Sequence, residues 1–131
     1  MKKFLAILLS VMSATALFSG CGAAPTAPSY KQISPEEAKQ IMETKKDYCL
    51  LDVRTAEEFA SGHIPGAILI PDYEIAQKAE DTLTDKNQLI LVYCRSGRRS
   101  KLAAETLANL GYTNVFEFGG IIDWVGEIVT E

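Results

Sequence analysis

The chain has only one histidine, His63, and only three cysteines, Cys21, Cys49 and Cys94, none of them in a Cys-x-x-Cys pair. That scarcity excludes the usual His-rich and paired-cysteine zinc centres. An excess of positive charge is also missing, because 13 Lys and Arg face 17 Asp and Glu for a net charge of −4. A general nucleic-acid binder needing a broad basic surface is therefore not expected. There is no internal repeat and no low-complexity tract, and domains usually run to ~100–200 residues, so 131 residues leave room for one domain. What is present, 47% hydrophobic and 23% charged residues, is ordinary globular material that can enclose a core without metal or disulfide staples.

The first twenty residues read as an export signal rather than as part of the fold. Lys2 and Lys3 precede an apolar stretch from Phe4 to Phe18, which is shorter than the ~20 residues a membrane-spanning helix needs. The stretch runs into Ser19-Gly20-Cys21, and small residues before a cysteine resemble a bacterial lipoprotein processing site. That resemblance implies that Cys21 becomes the first mature residue and carries lipid, placing the protein in the cell envelope, membrane-anchored and outside the cytoplasm. Removing residues 1–20 takes two Lys and no acid, which shifts the net charge from −4 to −6 and argues against electrostatic membrane docking. Residues 21–30, with two Pro, small residues and no apolar period, read as the anchor cysteine and a flexible tether. The folded domain is expected over 31–131.

Within that domain, Ser34-Pro35-Glu36-Glu37 combines a capping Ser, a Pro at the first helical position and a Glu three residues after the cap. It opens a helix with Ala38, Ile41 and Met42 inward. Tyr48–Val53 is an apolar run ending in Asp52-Val53, suited to a buried parallel strand. Thr55 and Glu58 repeat the capping-box pattern for a short helix that Gly62 can close, and Ala67–Ile70 predicts a brief strand. A weakly patterned helix is expected near Asp72–Leu83. Leu89–Tyr93 gives the clearest strand, followed by a helix with Leu102, Ala103, Thr106, Leu107 and Leu110 on its inner face and Gly111 at its end. Asn114–Phe118 predicts the last strand. Strands alternating with helices indicate an α/β domain of three layers, a central parallel sheet flanked by helices, with its ligand site at the carboxyl ends of the strands.

At that end lies Cys94-Arg95-Ser96-Gly97-Arg98-Arg99-Ser100, joining a buried strand to a helix. Backbone N–H groups of such a loop converge on one concavity, and the helix dipole adds positive potential. A thiolate at Cys94 would be stabilised there and by Arg95, Arg98 and Arg99, which makes it an exposed nucleophile at neutral pH.

Four motifs now stand in order: Leu51-Asp52-Val53-Arg54 with Glu57-Glu58-Phe59, Gly62-His63-Ile64-Pro65-Gly66-Ala67, the Cys94–Ser100 loop, and Gly119-Gly120 with Trp124. Together they resemble a single-domain rhodanese over roughly residues 31–128. The resemblance implies a sulfurtransferase in which Cys94 accepts a sulfane sulfur, becomes a persulfide and passes the sulfur to a thiol or cyanide, with no metal or organic cofactor. Its partners are then small sulfur-containing anions and protein or low-molecular-weight thiols. Physical chemistry agrees, since the sulfur of Cys94 must serve both as attacker and as leaving group. Amides of Arg95, Ser96, Gly97, Arg98, Arg99 and Ser100 are expected to cradle substrate, with Arg95 and Arg98 attracting anionic donors. Arg99 is expected either to pair with Glu58 or to touch substrate. Asp52 and Arg54 should shape the pocket and hold the loop, and His63 fits a rigid turn with a backbone-bonded imidazole better than a base. Cys49 lies ~13 Å below the reactive level on its strand, too far for a disulfide with Cys94.

Two other functions fit the loop less well. Phosphatases and arsenate reductases of the same fold also use a loop cysteine, but five residues separate it from the gripping Arg in that phosphatase pattern, where four separate Cys94 from Arg99. The cradle is small for a tetrahedral phosphate. A membrane-tethered persulfide carrier or sulfane-sulfur sensor is the non-catalytic alternative.

Overall fold

A computed structural model describes residues 29–131. The signal segment, Cys21 and all but the last two residues of the expected tether lie outside them. Both capping boxes form. Ser34 Oγ accepts the Glu37 N–H at 3.1 Å while the Ser34 N–H donates to Glu37 Oε2 at 3.0 Å, starting α1 (Pro35–Thr44). Thr55 and Glu58 make the same reciprocal pair at 3.2 and 3.3 Å and start α2 (Ala56–Ser61), which Gly62 ends. Each box satisfies N–H groups that a first helical turn otherwise leaves open.

Five strands, β1 (Lys31–Gln32), β2 (Tyr48–Asp52), β3 (Ile68–Leu69), β4 (Leu89–Cys94) and β5 (Val115–Gly120), form one parallel sheet in the order β1-β5-β4-β2-β3. The segment expected near Asp72–Leu83 is a 3-10 turn, Asp72–Glu74, running into α3 (Ile75–Thr82). All six residues of β4 are buried, and their alternation decides what they face. Ile90, Val92 and Cys94 point into a core with α3 and α4 (Arg98–Asn109), through Ile75, Ala79, Ala103, Ala104 and Leu107. Leu89, Leu91 and Tyr93 point into the other core, with Ala38 of α1 and Phe118. Cys94 is thus aimed at α4 by its parity on the strand.

The inner face of α4 differs from the expected one. Ser100, Ala103, Ala104, Leu107 and Ala108 are buried, whereas Leu102 is 56% exposed and Thr106 and Leu110 are only half-buried. The large apolar side chains misplace the helix phase, because three alanines and a serine form the contact that lets α4 lie close to the sheet. That rotation puts Ser100 over the end of β4. The helix closes as expected: the Gly111 N–H donates to Ala108 O at 3.0 Å and the Tyr112 N–H to Leu107 O at 3.1 Å, the paired bonds of a Schellman cap.

The sequence pattern signals neither the edge strand nor the path of the chain's last segment. The two-residue edge strand β1 carries too short a pattern to signal itself. The chain's last segment returns to the corner after α2, where the backbones of His63 and Val129 exchange two 2.8 Å bonds in an antiparallel bridge.

Candidate active site

β4 delivers Cys94 to the carboxyl edge of the sheet, and the chain then turns tightly through Arg95–Gly97 into α4. Gly97 sits at φ +106° as the N-cap, a conformation that side chains rarely adopt. The turn rests directly on β5: a Cβ at Gly120 would overlap the carbonyl of Arg95 and stand 2.5 Å from Ser96 Cα. Gly120 is therefore the floor on which the loop is built.

Cys94 Sγ accepts the Gly97 N–H at 3.0 Å and lies 3.3 Å from Ser100 Oγ. The sulfur is not exposed as the sequence suggested, for Cys94 is only 1% accessible. Its strand parity drives it toward α4, and the Gly97 amide and Ser100 hydroxyl close on it. Arg95, Ser96 and Arg98 face solvent around that point. Arg99 turns inward instead, donating from both guanidinium ends to Glu58 at 2.7 and 2.9 Å. The hydrogen bond from Arg99, helped by the Thr55 backbone, holds the Glu58 carboxyl down at about 2. The bridge ties α2 to the first turn of α4, beside the reacting loop.

Asp52 and Arg54 form a buried ion pair, with Arg54 Nη2 2.7 Å from Asp52 Oδ2 and Nε 3.0 Å from both carboxylate oxygens. Arg54 Nη2 also donates to Gly62 O at 2.6 Å. The pair thus fixes the corner after α2 instead of the cysteine loop. His63 is buried there too, with Nδ1 2.9 Å from Phe59 O and its ring stacked on Phe59 at 3.7 Å. The nearby Tyr93 hydroxyl accepts the Ile64 N–H at 3.1 Å, and burial pushes its ionisation up. Cys49 is a free thiol pushed up to about 11 by burial, which makes it a poor nucleophile.

One polar residue of this site was not anticipated. Glu117 of β5 is 2% exposed, and its Oε1 accepts the Ser100 hydroxyl at 2.6 Å and the Gly119 N–H at 2.8 Å. The available signal was parity: in Val115-Phe116-Glu117-Phe118, Glu117 shares the inward face of Val115, where a charged residue has to be explained.

Comparison with known proteins agrees with this geometry. The rhodanese-like domain model matches residues 34–127. The chain is 41% identical over 73 residues to the thiosulfate sulfurtransferase PspE of Escherichia coli, covering 56% of this chain and 70% of PspE. It is 36% identical over 94 residues to a sulfurtransferase of Allochromatium vinosum, covering 71% and 86% of the two chains. The putative sulfur carrier protein YrkF of Bacillus subtilis is 37% identical over 102 residues, 77% of this chain, which spans about half of that protein's length (54%). Among solved structures, a rhodanese with anions from E. coli superposes with a TM-score of 0.61 at 37% identity, over 64% of this chain and 99% of that one.

Proposed function

The chain belongs to the rhodanese-like domain family, and from that membership we propose that it moves a sulfane sulfur from a thiosulfate-like or persulfide donor, through a persulfide on Cys94, to a thiol or cyanide acceptor. The observation that carries this reading is the seat of the sulfur, with the Gly97 amide 3.0 Å from Sγ beneath a loop bearing Arg95 and Arg98. The two arginines draw an anionic donor to the loop. The Cys94 thiolate then attacks the donor's outer sulfur, the donor's S–S bond breaks, and the remainder leaves with the electron pair, as sulfite if the donor is thiosulfate. In the second half the acceptor attacks the outer sulfur of the persulfide, and the Cys94 thiolate departs with the bonding pair. Backbone donors that stabilise this anion favour it in both roles, as attacker and as leaving group.

Intact-mass analysis after incubation with thiosulfate tests this. The wild-type protein should gain one sulfur on Cys94 and lose it to cyanide with turnover, while Cys94→Ser should fold but do neither; transfer by the Ser variant would reject the covalent route. A dedicated persulfide carrier is the second reading, favoured by the name of YrkF. It predicts loading without catalytic turnover to cyanide.

The location is part of the same proposal. The basic start, the apolar stretch and Ser19-Gly20-Cys21 support a lipid on Cys21 and a domain held outside the cytoplasm on a short tether.

A further inference from the structure

The Ser100 hydroxyl has one proton to give, three oxygen acceptors within reach, and the Cys94 thiol donating to it. Glu117 Oε1 is nearest at 2.6 Å, Gly97 O follows at 3.0 Å, and Gly119 O and Cys94 Sγ lie at 3.3 Å. Cys94, Ser100 and Glu117 are all nearly inaccessible, at 1%, 0% and 2%, so no solvent competes for these bonds. We propose that Glu117 is a positioning residue that acts through the Ser100 hydroxyl to decide whether Cys94 keeps its proton. This rests on Cys94 being the reacting sulfur.

While Glu117 is a carboxylate, the Ser100 proton points to Oε1 and the hydroxyl lone pair accepts the Cys94 S–H. That arrangement holds the thiol. For the sulfur to ionise without placing two negative charges in one buried cluster, the thiol proton passes to Ser100 Oγ as the Ser100 proton passes to Glu117 Oε1. The carboxyl is then neutral, and the charge sits on Sγ with the Gly97 N–H and the Ser100 O–H directed at it. Proton count and total charge are unchanged, so one proton is shared along the chain of contacts Cys94–Ser100–Glu117.

The other charged groups around the pair have partners of their own or face solvent. On α4, Arg99 feels the Cys94 charge but is held by Glu58 of α2 and also senses Asp72 of the 3-10 turn. Arg95 and Arg98 are in solvent. At the end of β2, Asp52 and Arg54 just beyond it neutralise each other. From the β1 side, Gln32 Nε2 reaches Glu117 Oε2 at 3.4 Å, and Tyr30 senses Glu117 and Glu105. Glu117 is thus the buried acid facing the sulfur through a single hydroxyl.

The test is the rate of Cys94 alkylation by iodoacetamide against pH, read by mass on the full-length protein, which needs no sulfurtransferase activity. It therefore stays informative even if the persulfide experiment above fails. Glu117→Gln keeps an acceptor for Ser100 but removes the charge, and should move the midpoint of the profile at least one pH unit toward acid, a rate gain of about tenfold below the wild-type midpoint. Glu117→Asp keeps the charge but is too short to hold the Ser100 hydroxyl, and should move it the same way by a smaller step; this variant stands in if Gln does not fold. A merely structural role would lower stability and leave the midpoint in place. Unmoved midpoints in the folded variants overturn the proposal, and so does a Glu117→Gln shift that is just as large in a Ser100→Ala background.

Discussion

Glu58→Gln separates the charge of the α2–α4 bridge from the rest of its structure. Gln can still complete the capping box with Thr55, so α2 keeps its start, and only the ion pair to Arg99 is lost. The Glu58 carboxyl falls from 4.5 to about 2 in the fold, chiefly through the hydrogen bond from Arg99. At ~1.36 kcal/mol per pH unit this sets an upper bound of roughly 3 kcal/mol. Both side chains are 28% exposed, so water and salt screen the pair and the expected loss at pH 7 is ~1–2 kcal/mol. Because the folded value is the lower one, this stability is fully present above the unfolded value near 4.5 and disappears as pH falls toward about 2. Urea unfolding followed by the fluorescence of Trp124, which packs on Phe118, provides the assay. The gap between wild type and Glu58→Gln should be largest at pH 7 and should narrow steadily from pH 4.5 to pH 3. A gap of the same size at pH 7 and pH 3, or one below ~0.3 kcal/mol at pH 7, would refute the reasoning.

Gly120→Ala should displace the Arg95–Gly97 turn, because the added methyl overlaps the Arg95 carbonyl; a fall in thermal midpoint together with loss of Cys94 loading by thiosulfate is expected, and an unchanged loading rate would contradict it. Cys21→Ala should convert a membrane-bound, lipid-labelled protein into a soluble or unprocessed one, and recovery of unlabelled wild-type protein from the cytosol would defeat the anchoring proposal.

The legible parts of the site were those in which local chemistry and spacing coincide. Thr55 and Glu58 announce a helix start, and the same Glu58 then meets Arg99 across 41 positions of sequence, a pairing that Arg99's place beside the start of α4 made one of two options. Cys94 followed by Gly97 and arginines was readable as a strand-to-helix turn because β4 is uniformly apolar. What escaped depended on helix phase and depth. The inner face of α4 is made of alanines, whose burial reflects the close approach of helix to sheet rather than their own hydrophobicity, so Leu102 misled. The depth of Cys94 followed from that same approach. Glu117 was invisible as chemistry because its partner Ser100 comes into reach only once α4 is correctly rotated onto β5.

β1 is small, but its direction matters. It runs parallel to β5, pairing Lys31 with Phe116 and Gln32 with Glu117, so the chain enters the domain at the pole where the strands begin. Cys94 lies at the pole where they end. The chain that precedes Ser29 therefore joins the domain at the pole opposite its reactive loop. If a lipid on Cys21 holds that chain, the tether attaches on the side away from Cys94 and leaves the reactive loop open to sulfur donors and acceptors from the aqueous side.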